Sequence, residues 1–247
     1  MDCVRWACHA RRRKATGGAC AIIAGMDSAP LMLASASPRR RRLLAWLGIP
    51  YDSIATDTDE DLGSPLRRVP PVLARSLAAD KARAALAGAS PDGRAGQPTV
   101  LAFDTIVVLD REVLGKPRDR ADAERMLGKL SGRTHSVITG VAMLREGQAE
   151  PVTFAVTTPV AMRALDEPAV AAWLDTDEAL GCAGAYNIEK HLASVEDGEC
   201  YQNVAGLPLC HLYEKLKRLG VEGIEAPVAA CEAARGTECA LGRGLCR

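Results

Sequence analysis

Four consecutive arginines, Arg39 to Arg42, follow directly on Ser35-Ala36-Ser37-Pro38. A serine before a helix is a good cap, because its hydroxyl accepts from an unpaired N–H of the first turn. Proline suits the next position, since its missing N–H has no intrahelical partner to lose. The spacing therefore predicts a helix from Pro38, closed by Gly48, and the apolar run Leu31-Met32-Leu33-Ala34 before it predicts a strand. Strand, small-residue turn and helix start together aim backbone N–H groups and the positive end of the helix dipole at the turn, which suits a phosphate. Arg39 and Arg40 fall in the first turn, where the dipole repels cations. That placement is unfavourable unless an anion neutralises it, and it reads as a polyphosphate cradle.

Asp104 is the second signal. It stands inside Val100-Leu101-Ala102-Phe103-Asp104-Thr105-Ile106-Val107-Val108-Leu109, a continuous apolar run that predicts a buried strand. An ionised carboxylate there costs several kcal/mol unless it is paired, hydrogen-bonded or metal-bound. Asp104 is therefore the first choice for a catalytic residue, with a structural hydrogen-bonding role as the alternative. Asp110-Arg111 predicts a tight turn into a second strand that delivers Gly115-Lys116-Pro117. Lys116 at that constrained turn is placed to act as a point charge on phosphate. Residues 57–61 hold four carboxylates, which repel one another unless they are solvated or hold a cation. Two other polar residues carry less weight. Lys81 on a helix reads alone as a solvated side chain, and His135 near a strand start reads as supporting rather than catalytic.

These residues need elements to hold them. Residues 51–55 predict a strand and 72–86 an Ala-rich helix, with a Pro/Gly/Asp loop over 90–98. Asp119 caps a helix whose stripe of Ala123, Met126, Leu127 and Leu130 faces the core. Residues 133–141 predict a strand, and 152–163 another, broken near its end by Pro159. Asp166 caps a helix with Val170 and Leu174 inward. Residues 181–189 form a Gly/Ala-rich loop built for close approach. Residues 192–195 and 201–204 read as a hairpin. A last helix carries Leu209, Leu212, Tyr213, Leu216 and Leu219. Hairpins mixed with crossover helices argue for α/β or α+β with a mixed sheet.

Composition narrows the function classes. Across 247 residues, 31 basic side chains balance 31 acidic ones, which disfavours a general nucleic-acid binder. Aromatics are only 4%, too few for platforms that stack single-stranded bases. No apolar run approaches a membrane span. The nine cysteines contain no CxxC pair, so a zinc site has little support and isolated reduced thiols in a cytoplasmic protein are expected. The basic stretch 11–14 followed by residues 19–25 only faintly resembles a signal peptide, having a short, Gly-diluted centre and no convincing cleavage site. Met26 lies just before the first strand, so the start is Met1 or Met26. Residues 1–29 read as a disordered extension, 30–220 as one domain, and 221–247, without a helical period, as a loose tail.

Seven blocks, in order and in spacing, resemble the Maf (septum formation) family. They are 33–40, the strand around Asp104-Thr105, 114–117, 130–135, 139–141, 183–186 and 203–208, and together they cover roughly residues 31–220. The resemblance implies a nucleoside triphosphate pyrophosphatase: water attacks the α-phosphate and releases a nucleoside monophosphate and pyrophosphate, with Mg²⁺ or Mn²⁺. It implies an elongated single domain with a strongly twisted mixed sheet and a cleft between two lobes, related to the inosine triphosphatase fold, and homodimers are common. Matched by position, Asp104 corresponds to the family's catalytic acidic residue. Arg39 and Thr105 bear on substrate choice, Glu60 and Lys116 surround metal and phosphates, and Ser35, Arg40 and Lys81 line the cleft. Glu189 stands where the dTTP- and UTP-specific branch has glutamine, leaving base preference open between pyrimidines, 7-methyl-GTP and relaxed specificity. The rival readings are a nucleic-acid-binding module using Arg39 to Arg42 and a non-catalytic regulator of cell division.

Overall fold

The computed structural model describes residues 31–56, 58, 61–89 and 98–247. The chain builds one mixed sheet from β1 (Leu31–Ala34), β2 (Tyr51–Ile54), β3 (Thr99–Leu109), β4 (Glu112–Leu114), β5 (Thr134–Arg145), β6 (Val152–Met162) and β7 (Ala193–Ser194). Its order is β2-β1-β3-β5-β6-β7, with β4 paired to β3. β1 lies parallel to β2 and to β3, and the other pairings are antiparallel.

The decisive feature is how β3 is shared. One side of β3 pairs with β5 from Thr99 to Val108 without interruption. Its other side pairs first with β1, as far as Ala34 beside Ala102, and later with β4, from Leu114 beside Val107. Over 103–106 neither β1 nor β4 is paired to β3. The sheet forks there, and Asp104 and Thr105 sit in the fork.

Alternation then sends the two side chains to opposite faces. Asp104 faces the helix α2 (Pro70–Gly88), between the α2-facing clusters that contain Ala102 and Ile106. Thr105 faces the larger core, beside Phe103 and Val107. That core packs α1 (Pro38–Leu44), α3 (Arg120–Leu130), α4 (Glu167–Leu174) and α6 (Leu209–Arg218) on the sheet. α2 lies directly on β5 at Gly140, the register partner of Asp104. A Cβ on Gly140 would stand 2.1 Å from the Ala74 carbonyl oxygen, so only glycine admits α2 this close.

Three expectations are corrected. Residues 201–204 are not a strand: Tyr201–Val204 is a helical turn, α5, and only Ala193–Ser194 pairs with the sheet. Pro159 does not break β6, because β7 covers only Ala161 and Met162 and the open edge tolerates a residue without N–H. The segment after 220 is not a loose tail. It forms α7 (Val228–Arg235) and α8 (Ala240–Leu245), with Cys231 and Cys239 buried and the Glu225 N–H donating to the Leu47 carbonyl. The disorder expected over residues 1–29 lies outside the described residues. Among the described residues, no helix is long and apolar enough to cross a membrane.

Candidate active site

A cleft of about 680 Å³ opens at the fork and is lined by the turn after β1, α1, the fork residues of β3, Lys116 and the 181–190 loop. That volume falls in the range of about 300–1,000 Å³ usual for small-molecule sites. Ser37 caps α1, its hydroxyl accepting from the Arg40 N–H, and Pro38 follows at the first helical position. The turn is partly closed on itself, which corrects the expectation of a row of free donors. The Ser35 N–H donates to the Leu33 carbonyl at 3.0 Å, and the Ser37 N–H to the Ser35 hydroxyl at 3.2 Å. Positive charge in the cleft therefore comes chiefly from side chains.

Asp104 is 1% exposed, and its Oδ1 takes the ammonium of Lys81, itself 8% exposed. The pair explains how a strand interior holds a carboxylate: opposite charge at contact offsets the desolvation that burial imposes. It also revises the reading of Lys81 as a solvated side chain. α2 points that lysine inward, and its ammonium serves Asp104.

Arg40 crosses the cleft floor. Its Nε donates to the Gly206 carbonyl at 2.9 Å and a terminal nitrogen donates to Thr105 Oγ1 at 3.0 Å, with the guanidinium 5.9 Å above the Phe103 ring. Gly206 adopts φ +99°, and a Cβ there would press within 3.4 Å of Arg40 Nε, so glycine serves both backbone and contact. From Thr105 the network continues to the Thr139 hydroxyl at 2.9 Å, which in turn donates to the Asn203 carbonyl at 3.0 Å. The Asn203 amide donates to the carbonyls of Val137 and Val156 and to Thr158 Oγ1. Thr139 and Asn203 thus lock the site to β5 and β6. The sequence places Thr139 on a strand face with Val137 and Val141 and Asn203 only within the block 203–208, although two polar groups in apolar stretches are a readable sign of a buried network.

Arg39 reaches the opposite wall, donating to Cys182 Sγ at 3.4 Å. Arg42 pairs with Glu189 across the mouth of the cleft. Lys116 is exposed and lines the same cleft. The Gly184 N–H donates to the Gly115 carbonyl at 2.9 Å, joining the 181–190 loop to the turn that carries Lys116. His135 stands behind the wall: its Nε2 meets the Tyr186 hydroxyl at 2.8 Å, and burial lowers its pKa to about 4. Desolvation likewise pushes the Tyr186 hydroxyl up. Both stay neutral near pH 7 and support the loop.

Ser35, Arg39, Arg40, Lys81, Asp104, Thr105, Lys116 and Glu189 all line this one cleft. Glu60 lies outside the described residues. Among the described residues, no group of three or more histidine, cysteine or carboxylate side chains is arranged to hold an ion. Asp104 nonetheless fits a hard cation, which commonly takes one or two carboxylates and completes its shell with substrate phosphates and water.

A family model described as Maf-like protein matches residues 30–219. Among curated proteins, the chain is 42% identical over 194 residues to a dTTP/UTP pyrophosphatase of Syntrophotalea carbinolica, covering 77% of this chain and 84% of that one. It is 44% identical over 197 residues to the protein of the same name from Moorella thermoacetica, covering 78% and 96%. It is 41% identical over 199 residues to that of Geobacter sulfurreducens, covering 79% and 99%.

Proposed function

The chain belongs to the Maf-like protein family, and we propose that it is a nucleoside triphosphate pyrophosphatase that hydrolyses dTTP or UTP to the monophosphate and pyrophosphate. One observation carries this reading: a buried acid, held by a lysine, opens into a cleft whose other walls present Arg39, Arg40, Arg42 and Lys116. An array of cations in front of a single buried carboxylate suits an anhydride with several negative charges and one attacking water.

In this mechanism Asp104 takes the proton of the attacking water, a general-base role worth about 10²–10⁴ in rate. Lys81 holds the carboxylate in position. Arg39 and Lys116 receive phosphate oxygens, and Arg40, tied to Gly206 and Thr105, shapes the floor on which the triphosphate lies. Glu60 and Asp104 would hold Mg²⁺ or Mn²⁺, which stabilises charge developing on the phosphate oxygens. A homodimer in the cytoplasm belongs to the same proposal.

The base faces Glu189. An ionised carboxylate only accepts hydrogen bonds, whereas glutamine also donates. Glu189 pairs with Arg42 at the mouth of the cleft, so guanidinium donors stand next to that acceptor and could serve a pyrimidine carbonyl. This supports dTTP and UTP in spite of the Gln-to-Glu departure.

The test is pyrophosphate release from a panel of canonical and modified nucleotides with Mg²⁺, run on wild type and Asp104→Asn. We expect turnover of dTTP and UTP and a fall of about 10²-fold or more in the variant, which should still fold by circular dichroism but melt at a lower temperature because Lys81 loses its charge partner. Full activity of Asp104→Asn would remove this residue from the mechanism. Salt-sensitive oligonucleotide binding without turnover would favour a nucleic-acid module. The commitment of Arg39, Arg40 and Arg42 to cleft contacts argues against that module.

A further inference from the structure

The segment beyond the family match touches both elements that place Arg40. Val221 is buried in the larger core and Ile224 packs against it. At Glu225 the chain meets the end of the helical stretch that α1 begins. The Glu225 N–H donates to the Leu47 carbonyl at 2.9 Å, and its side chain lies 3.0 Å from where a Cβ on Gly48 would stand. α7 then reaches α5. The Arg235 guanidinium lies 4.9 Å over the Tyr201 ring, and the buried Gln202 side-chain amide donates to Cys231 Sγ at 3.5 Å. α8 closes on α6, where a Cβ on Gly242 would stand 3.2 Å from Cys210 Sγ.

α5 in turn governs Arg40. The Asn203 carbonyl accepts from the Gly206 N–H at 3.0 Å, and the Gln202 carbonyl from the Leu207 N–H at 2.9 Å. The turn therefore moves as one piece, and it carries the Gly206 carbonyl that receives Arg40 Nε. Its seat on the sheet is the Asn203 amide, bonded to β5 and β6. A seat at one residue fixes where the turn lies and leaves its tilt free. The contacts of Tyr201 and Gln202 with α7 remove that freedom.

We infer that α7 is a clamp on the floor of the cleft, with Arg235 as a positioning residue: stacked on Tyr201, it sets the tilt of α5 and through it the place of Arg40. The inference rests on the reading of the cleft as a triphosphate site. Asp104 and Lys81 meet on the face of β3 opposite to Thr105 and Arg40, so the clamp bears on substrate binding and not on proton transfer. Loss of Arg235 therefore raises KM and spares kcat. Simple loss of stability does the reverse, because it removes folded enzyme, lowers the apparent kcat and leaves KM unchanged.

The full-length chain is assayed for dTTP hydrolysis with Mg²⁺ at a temperature where every variant is folded by circular dichroism. Binding of inorganic triphosphate is measured alongside by calorimetry. Arg235→Met should raise KM and weaken triphosphate binding by about threefold to tenfold, the range one cation–π contact can produce, with kcat within about twofold of wild type. Tyr201→Phe keeps the ring and should match wild type. Tyr201→Leu should match Arg235→Met, and both changes together should cost no more than either alone. Leu144→Ala opens a cavity on β5 away from the fork, and should melt earlier with KM unchanged. The clamp is overturned by unchanged KM and triphosphate affinity in Arg235→Met, by a lower kcat at unchanged KM, or by an equal rise of KM in Leu144→Ala. If wild type binds triphosphate more tightly than Arg235→Met yet hydrolyses no nucleotide, the clamp stands and the pyrophosphatase reading fails. Wild type that neither binds triphosphate nor hydrolyses dTTP overturns both.

Discussion

Lys81 and Asp104 are 23 positions apart and share one buried contact. Removing either charge alone strands the other in a low-dielectric site, whereas removing both does not. Lys81→Met should therefore destabilise the fold by about 3–5 kcal/mol and abolish pyrophosphate release. Lys81→Met with Asp104→Leu should regain most of that stability and stay inactive, as read by urea denaturation and turnover. A stable, active Lys81→Met would show that the ammonium is dispensable to both. Glu189 allows a second prediction at this scale. Glu189→Gln replaces a side chain that only accepts by one that also donates to a pyrimidine carbonyl, so the ratio of kcat/KM for dTTP over 7-methyl-GTP should shift by about tenfold toward dTTP. An unchanged ratio would remove Glu189 from base selection.

The element that sets the site is α2, and its seat is Gly140. Replacing that hydrogen by a methyl would push α2 off the sheet, because the obstacle is the Ala74 backbone and not a movable side chain. Gly140→Ala should cost about 3 kcal/mol, at the upper end of overpacking, and should lower kcat as Lys81 loses register with Asp104. Melting temperature and turnover measured together test this, and a variant with wild-type values for both would refute it. The helix itself was readable from its alanines, but its docking was not. A glycine in a strand signals close approach without naming what approaches. The same limit applies to residues 201–204. Tyr, Gln, Asn and Val suit a strand by propensity, yet the Asn203 amide is consumed by three acceptors on β5 and β6, and a helical turn is what presents it there.

For the whole molecule, the buried His135–Tyr186 contact links stability to pH. Burial lowers the His135 pKa from 6.5 to about 4 in the folded chain, so the unfolded chain binds the extra proton first. Stability is full above about pH 6.5 and is lost as pH falls toward about 4, by roughly 3 kcal/mol in total. His135→Gln keeps a hydrogen-bonding partner for Tyr186 and cannot titrate. Its melting temperature should fall less steeply between pH 6.5 and 4 than that of wild type. Parallel curves would mean that other groups dominate acid unfolding. The forked sheet is also a property of the whole: the hairpin partner β4 and the more distant β1 and β5 must all take their places on β3 before a cleft exists.

The chain's order of residues determined the local steps by itself. The cap and proline of α1, the apolar strand around Asp104, the turn at Asp110-Arg111 and the stripe of α3 each follow from neighbours within a few positions, where propensity and periodicity act. Which groups meet was decided only by the tertiary structure. The Lys81–Asp104 pair, the Arg40–Thr105–Thr139–Asn203 network and the stacking of Arg235 on Tyr201 join residues far apart in sequence. Their energies come from desolvation and contact, and neither exists until the sheet has closed around them.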